Sequence, residues 1–331
     1  MGKDHFKAFR LTKKDNKFNA AIDTLSKSEL PQADVLVKVN YSSVNYKDGL
    51  ACLESSSIVK QYPFVPGIDL AGEVVESSDQ RFKVGDLVLA TGYEIGVTHY
   101  GGFSEYARIP GDWLVPLPNG LSEKEAMTYG TAGFTAALSI HRLEENGISP
   151  EMGSVLVTGA TGGVGSTAIA MLHKRGYKVI ASTGKQKEYD YLKRIGASEI
   201  ITREQVYDEQ VRALDKQQWA AAVDPVGGHT LASVLSKIQY GGSVAVSGLT
   251  GGGSVPTTVY PFILRGVNLL GIDSVFCPME IRKKLWERMG EDLKPNNFTE
   301  MIANEITLDD LPDALPSIMQ GNAKGRTVVK L

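Results

Sequence analysis

The feature that most constrains the fold of this chain is a glycine-rich turn between a predicted strand and a predicted helix. An apolar, β-branched stretch over residues 154–158 leads into Gly159-Ala160-Thr161-Gly162-Gly163-Val164-Gly165, and a helical pattern covers residues 164–174. Strand, glycine-rich turn and helix, in this order, are the context in which a dinucleotide-binding fingerprint is expected.

Each glycine of this turn has a physical reason to be there. Gly162 and Gly163 let the backbone approach a pyrophosphate, and Gly165 lets the helix pack closely on the strand. The free N–H groups at the start of the helix then face the anion. Ala160 replaces the first glycine of the strict pattern, so the prediction of a cofactor site depends on the surrounding elements.

Those elements alternate as in a doubly wound parallel sheet. Ser122, followed three residues later by Glu125, forms a capping-box pattern before a helix that should reach about residue 143. Another helix is expected over 188–195. Strands with helical connections indicate an α/β domain, and the predicted strands are residues 154–158, 177–182, 199–202, 219–224, 243–247 and 268–273.

The first 120 residues or so have a different pattern. Short β-branched or alternating stretches over 35–41, 72–76 and 87–90 are separated by glycine and proline, which favours an antiparallel, barrel-like β unit. The tail beyond residue 276 contains one more helical stretch and ends in a strand over 326–331, so it should return to this first domain.

The end of the second parallel strand indicates which cofactor is bound. NAD enzymes place a carboxylate there to hold the ribose 2′-hydroxyl, whereas this chain has Ala181-Ser182-Thr183-Gly184-Lys185. Hydroxyl groups and the Lys185 ammonium would attract a 2′-phosphate, and Arg203 follows the third strand. The sequence therefore predicts NADP(H), although either cation could instead be an ordinary solvated charge.

Composition excludes several other classes of protein. The formal charge is −3 without a basic stripe, and no apolar run approaches ~18 residues, so neither nucleic acid nor a membrane is an expected partner. Cys52 and Cys277 are the only cysteines, which fits a reducing, cytoplasmic location. The sequence has no zinc-ligand spacing and no GxSxG nucleophile motif.

Several longer strings resemble the medium-chain dehydrogenase/reductase superfamily over essentially the whole chain, most closely its zinc-free branch of quinone oxidoreductases. The strings typical of the superfamily are Asn45-Tyr46-Lys47-Asp48, the run PFVPGIDLAG at 63–72, Gly85-Asp86 and the glycine turn. Those that resemble the acrylyl-CoA reductase subgroup are GDWLV at 111–115, GTAGFT at 130–135, PTT at 256–258, PFILR at 261–265 and GRT at 325–327.

This resemblance implies two domains: a GroES-like β-barrel catalytic domain over 1–122 and 277–331, and a Rossmann doubly wound parallel sheet domain over 123–276. In the zinc enzymes of the superfamily a cysteine and a histidine ligand stand where this chain has Asn45 and Ile68. Neither side chain can replace such a ligand, so no metal is expected. The resemblance also implies a homodimer.

The site residues implied by the resemblance fall into four groups. Pyrophosphate contacts are Thr161, Gly162, Gly163 and Val164, and 2′-phosphate contacts are Thr183, Gly184, Lys185 and Arg203. Later cofactor contacts are Leu249, Ile263, Ser274 and Asn322, and the reactive end carries Tyr46 and Asn45. For Leu249 and Ile263 the alternative is ordinary core packing.

The implied reaction is hydride transfer from NADPH to the β-carbon of a small 2-enoyl thioester such as acrylyl-CoA. Tyr46 would place a hydroxyl at the substrate or the cofactor ribose, held in position by Asn45, unless its ring only stacks on nicotinamide. Other tyrosines that could serve are Tyr41, Tyr93 and Tyr129. Two other functions stay open at this point: quinone reduction, and a non-catalytic structural protein that binds NADPH.

Overall fold

A computed structural model describes residues 4–15, 17–207, 209–321 and 324–331. The strands are β1 (His5–Lys14), β2 (Lys17–Ser26), β3 (Val35–Ser43), β4 (Asp69–Ser77), β5 (Leu87–Thr91), β6 (Tyr106–Ile109), β7 (Val115–Pro116), β8 (Val155–Val157), β9 (Val179–Ser182), β10 (Glu199–Ile201), β11 (Trp219–Asp224), β12 (Ile238–Val246), β13 (Asn268–Gly271), β14 (Ile302–Thr307) and β15 (Arg326–Lys330). The helices are α1 (Tyr46–Ala51), α2 (Glu123–Glu145), α3 (Gly163–Lys174), α4 (Tyr189–Arg194), α5 (Arg203–Val206), α6 (Gly228–Lys237), α7 (Tyr260–Arg265), α8 (Met279–Gly290) and α9 (Leu311–Met319). Within the described ranges, no helix is both long and apolar enough to cross a membrane.

The chain divides into two units. The first consists of residues 1–131, 275–283 and 302–331, and the second of 132–274 and 284–301. The domain limits predicted from the sequence stay predictions, and they differ from this division in three stretches, 123–131, 275–276 and 284–301.

The two longer differences have a physical reason. Thr131 N–H donates to the carboxylate of Asp69 at 2.9 Å, which ties the first turns of α2 to β4. In the second stretch, Arg288 pairs with Glu144 at 2.7 Å and with Asp292 at 2.7 Å. The C-terminal half of α8 therefore belongs to the unit that contains the end of α2.

The first unit contains a seven-stranded sheet in the order β14-β15-β3-β4-β5-β7, with β6 paired to β3, beside a separate β1–β2 hairpin. The prediction of antiparallel pairing is confirmed for β3, β4 and β5, but β14 lies parallel to β15. Alternate residues of β3, namely Val35, Val37 and Val39, face the core of this unit. Leu36, on the opposite face, is also fully buried and packs in a second cluster with Phe6 and Leu25, so the first part of β3 is covered on both faces.

The second unit contains a six-stranded sheet in the order β10-β9-β8-β11-β12-β13, and every neighbouring pair is parallel. In chain order this is 3-2-1-4-5-6, so the predicted doubly wound sheet is confirmed. The strand order reverses between β8 and β11, and both strands are buried along their whole length. Ligands of such sheets bind at the carboxyl ends of the strands beside this reversal.

Helix α2 begins with the predicted cap and changes direction at a glycine. Ser122 N–H donates to the Glu125 carboxylate at 2.9 Å, and Glu125 N–H donates to Ser122 Oγ at 3.3 Å, which confirms the capping box. Gly130 leaves the helical region, with φ of 51°. A Cβ at Gly130 would lie 2.4 Å from both the Asp69 carboxylate and Ser43 Oγ, so only glycine fits here.

Replacing Gly130 should therefore destabilise the protein far more than replacing a glycine that has open space. We expect Gly130→Ala to lower the free energy of unfolding by about 3 kcal/mol or more, because left-handed strain and a steric clash add together. Gly147→Ala is the matched control, since Gly147 also has positive φ but no atom within 4 Å of an added Cβ. Urea unfolding of both variants measures the difference, and equal losses would contradict the steric argument.

Candidate active site

The predicted phosphate turn lies at the carboxyl end of β8, where the sheet order reverses. Gly162 is the N-cap of α3, and Gly163 is its first residue. A Cβ at Gly165 would lie 2.4 Å from the carbonyl oxygen of Gly159, so glycine is required for α3 to pack this closely on the turn. Thr161 is buried, whereas the next three residues are partly exposed. They lie at the start of α3, where the first N–H groups of a helix have no intrahelical partner and can bind an anion.

The predicted 2′-phosphate residues come together beyond β9 and β10. Lys185 N–H donates to Thr183 Oγ1 at 3.1 Å. A Cβ at Gly184 would lie 3.2 Å from Arg203 Nε, so the arginine side chain passes close over this glycine. Partial burial lowers the pKa of Lys185, the Glu188 carboxylate opposes this shift, and the charges of Arg203 and Lys187 lower the pKa further. Two cations that repel each other are stabilised in their charged forms when a dianion binds between them.

The later cofactor residues lie on separate elements. Leu249 follows β12 and is 70% exposed, and Ile263 on α7 is 69% exposed. The alternative that these two side chains belong to the core is therefore wrong. Ser274 Oγ accepts a hydrogen bond from the Thr135 hydroxyl at 2.8 Å. Asn322 lies outside the described residues.

Tyr46 and Asn45 stand at the start of α1 in the first unit. Tyr46 is the first residue of this helix, and 47% of it is exposed. Asn45 is the buried N-cap, and its amide donates to the Asp69 carboxylate at 2.7 Å while its oxygen accepts from Arg326 at 3.2 Å. Neighbours thus occupy both ends of this amide, which fixes the Asn45 side chain at the start of α1.

The three alternative tyrosines are all less exposed to solvent than Tyr46. Tyr129 is fully buried, and this burial raises its pKa. Tyr93 stacks on Trp113 with ring centroids 5.6 Å apart, and the Arg282 guanidinium lies 4.6 Å from the centre of the Tyr93 ring. Tyr41 lies on β3 and is only partly exposed.

Sequence reasoning missed the buried polar cluster that surrounds Asp69 beneath α1. The Asp69 carboxylate accepts hydrogen bonds from Ser43 Oγ at 2.6 Å and from both N–H and Oγ1 of Thr131 at 2.9 and 2.5 Å. The Arg326 guanidinium lies 4.0 Å away and donates to the Thr128 carbonyl oxygen at 3.0 Å. A charged residue inside the apolar run at 68–71 was the available signal, because such a residue needs partners when buried.

Asp48 is a second buried carboxyl in the same place. It accepts from the backbone N–H of Asn45 at 2.8 Å and from that of Ile68 at 3.0 Å. Burial, and then the charge of Asp69, raise the pKa of Asp48 to about 7. The two backbone donors oppose this shift without cancelling it.

Asn45 and Ile68, which stand where related enzymes have zinc ligands, make structural contacts in this chain. Asn45 is committed to the polar cluster, and Ile68 is buried with 4% exposure. Among the residues that the structure describes, no group of three or more His, Cys, Asp or Glu side chains could hold a metal ion.

Comparison with known proteins gives the family. Residues 31–119 match the alcohol dehydrogenase GroES-like domain, and residues 163–291 match the zinc-binding dehydrogenase family. The Bacillus subtilis protein YhfP is 62% identical over 98% of this chain and 99% of its own length. The acrylyl-CoA reductase AcuI of Ruegeria pomeroyi is 50% identical over 95% of this chain and 94% of its own length.

Solved structures agree with this assignment. YhfP with NAD bound superposes with a TM-score of 0.98 at 61% identity, covering 99% of this chain and 100% of that one. The yhdH oxidoreductase of Salmonella enterica, in complex with NADP, has a TM-score of 0.95 at 48% identity, covering 98% and 99%. The fold and these relatives define an oxidoreductase with a GroES-like and a Rossmann-type domain. The chain belongs to the medium-chain dehydrogenase/reductase superfamily, in its zinc-free group of acrylyl-CoA reductase-type quinone oxidoreductases.

The raised pKa of Asp48 predicts a specific pH dependence of stability. The native state keeps the proton between pH 3.8, the ordinary pKa, and about 7, whereas the unfolded state loses it, so stability falls as the pH rises through this window. In Asp48→Asn this loss should disappear, and it corresponds to about 3 kcal/mol between pH 5 and 8. Asp313→Asn, at an exposed position, is the control. Urea unfolding at several pH values checks this, and identical pH profiles for Asp48→Asn and wild type would contradict it.

Proposed function

We propose that this chain is an NADPH-dependent reductase of an activated carbon–carbon double bond, with a short 2-enoyl-CoA such as acrylyl-CoA as its substrate. Support for the substrate class comes from the match to AcuI, an acrylyl-CoA reductase, over 95% of this chain. The observation that carries the cofactor choice is the Lys185–Arg203 pair beyond β9 and β10. Its charge fits a 2′-phosphate, which NADPH has and NADH lacks.

The turn after β8 also fits a pyrophosphate. Its glycines remove the side chains that would obstruct close approach, and α3 begins there with accessible N–H groups. Thr161, Gly162, Gly163 and Val164 would hold the pyrophosphate, and Thr183, Gly184, Lys185 and Arg203 would hold the 2′-phosphate. When bound, NADPH supplies the hydride for the electron-poor carbon of the substrate.

The protein's own contribution to the chemistry is positioning and hydrogen bonding. In the described part of the chain, the Tyr46 hydroxyl has no hydrogen-bond partner, and the residue is half exposed at the start of α1. We assign it as the donor to the substrate carbonyl oxygen, where negative charge increases during reduction. Asn45 and the cluster around Asp69 keep this helix start in place.

An assay of NADPH oxidation with acrylyl-CoA, crotonyl-CoA and several quinones tests the proposed function. We expect turnover to be fastest with one of the two enoyl thioesters. Faster turnover of quinones would favour quinone reduction instead. NADPH binding without turnover of either class would contradict the proposed reaction while leaving the cofactor assignment intact.

Reversing the charge of Lys185 should change the choice of cofactor. Lys185→Glu should weaken NADPH binding by about one to two decades, since charge-assisted contacts contribute roughly 1.5–3 kcal/mol. NADH binding should change little, because NADH lacks the 2′-phosphate. Lys193→Glu, with the same charge reversal on the exposed side of α4, is the control. Dissociation constants of both cofactors at one salt concentration measure the effect, and equal weakening of NADPH and NADH would refute this role.

Removing the Tyr46 hydroxyl should impair the reaction more than cofactor binding. In Tyr46→Phe we expect kcat to fall about a hundredfold while the Kd of NADPH stays within about twofold, since the hydroxyl acts in the transition state. Tyr240→Phe, at a residue that is 76% exposed on the second unit, is the matched control. Unchanged kcat in Tyr46→Phe would leave only a stacking role for the ring.

The homodimer implied by the resemblance also belongs to this proposal. Light scattering on the purified protein checks it directly.

A further inference from the structure

Tyr93, which follows β5, has a backbone conformation that is rare for an aromatic residue. Its φ is 50°, in the left-handed region. This conformation costs free energy in a residue with a bulky side chain, and it persists only where the surrounding structure enforces it. Residues held in this way are concentrated at ligand-binding and catalytic sites. The contacts that hold Tyr93 are therefore a guide to its function.

A fully buried arginine makes several of these contacts. Arg282, on α8, is fully buried, and its guanidinium donates to the Thr91 carbonyl oxygen at 2.8 Å and to the Thr91 hydroxyl at 3.0 Å. It also donates to the Val275 carbonyl oxygen at 3.1 Å. The same carbonyl oxygen accepts from the Tyr93 N–H at 2.9 Å. Arg282 thus fixes both the end of β5 and the acceptor of the Tyr93 backbone.

The side chain of Tyr93 is held as well as its backbone. The Arg282 guanidinium lies 4.6 Å from the centre of the Tyr93 ring. The Trp113 ring lies nearly parallel to the Tyr93 ring, at an angle of 7°. The Tyr93 hydroxyl donates to the Cys277 carbonyl oxygen at 3.5 Å. Tyr93 nevertheless stays partly exposed, and a ring that is already fixed loses little conformational entropy when it contacts a ligand.

Tyr93 and Tyr46 lie at the same edge of the sheet in the first unit. Strands β3 and β5 both pair with β4 in the antiparallel direction. The carboxyl ends of β3 and β5 therefore meet at the edge where β4 begins. Tyr46 follows β3, which ends at Ser43, and Tyr93 follows β5, which ends at Thr91. A substrate that accepts a hydrogen bond from Tyr46 would thus bind at the edge that also carries the Tyr93 ring.

We propose that Arg282 is a positioning residue that holds the Tyr93 ring as a wall against the acyl group of the substrate. A wall that cannot move aside leaves room for a small acyl group and disfavours longer ones. Arg282 acts through Tyr93 and not on the substrate itself, because its side chain is fully buried. This inference rests on the proposed function and adds to it the residues that select the length of the acyl group.

The test compares acrylyl-CoA, crotonyl-CoA and 2-hexenoyl-CoA as substrates of wild type and Arg282→Met. In wild type, kcat/KM should fall as the acyl group becomes longer. In Arg282→Met we expect the ratio of kcat/KM for 2-hexenoyl-CoA to that for acrylyl-CoA to rise about tenfold, because the released ring can move aside. The Kd of NADPH should stay within about twofold of wild type, since the change concerns the acyl group.

The matched control is Arg81→Met, in the same unit, at an arginine side chain that is 56% exposed. Its ratio of kcat/KM values should equal that of wild type. An equal fall in kcat/KM for all three thioesters in Arg282→Met would mean that Arg282 only supports the fold, and it would overturn the inference. An unchanged ratio in an active Arg282→Met variant, or equal kcat/KM for all three thioesters in wild type, would overturn it as well.

Should Arg282→Met fail to fold, Tyr93→Ala decides the matter. This variant removes the ring but leaves the contacts of Arg282 with Thr91 and Val275 in place. The same rise in the ratio is expected, and an unchanged ratio would refute the proposed wall. Wild-type protein that reduces none of the three thioesters would instead refute the proposed function, so the two failures are distinguishable.

Discussion

Burial of a carboxyl group next to a helix start in the candidate site is the constraint on which both units depend. In the first unit, Asp69 is fully buried below the start of α1, and in the second, Asp224 is fully buried below the turn after β8. A buried carboxylate is costly unless donors surround it. In each unit, a threonine hydroxyl and a backbone N–H donate to the buried carboxyl. Thr131 supplies both donors to Asp69. Asp224 accepts from the Thr158 hydroxyl and from the Gly227 N–H.

These buried groups also explain why particular glycines occur nearby. Gly130 leaves room for the Asp69 cluster. Gly228 leaves room for Gly251, in the loop that follows β12. Glycine alone tolerates both the positive φ and the close backbone contact at these places. The rigid supports that result present two side chains to solvent, Tyr46 in the first unit and Leu249 in the second.

The polar cluster of the first unit occupies the position that metal ligands hold in zinc-dependent members of the superfamily. Asn45 and Ile68 stand at these ligand positions, and the Asn45 amide bonds to Asp69 and Arg326 instead. Without a Lewis acid, the chemistry proposed for this chain requires a hydrogen-bond donor at the substrate and a hydride from the cofactor. The Tyr46 hydroxyl is the donor that we propose for this purpose.

Local patterns in the sequence determined the type and order of most elements. The glycine turn, the capping box at Ser122 and the β/α alternation predicted the parallel sheet, because these signals depend on neighbours in the chain. Residues Thr183 to Lys185 and Arg203 were also assigned from strand ends alone, and the structure brings them together. The roles of the individual site residues remain predictions.

Only the tertiary structure decided which side chains are exposed and which polar groups meet. Leu249 and Ile263 looked equally suited to a core, since apolar character does not reveal the direction of a side chain outside a regular period. Asp69 and Arg326 are 257 positions apart in the sequence, so no local sequence pattern links them. Asp69 on β4 and Arg326 on β15 lie on the two sides of β3, whereas Asp224 on β11 lies beside the end of β8, which Thr158 follows. Both contacts form only when the sheets form, and long-range contacts of this kind leave no periodic trace in the sequence.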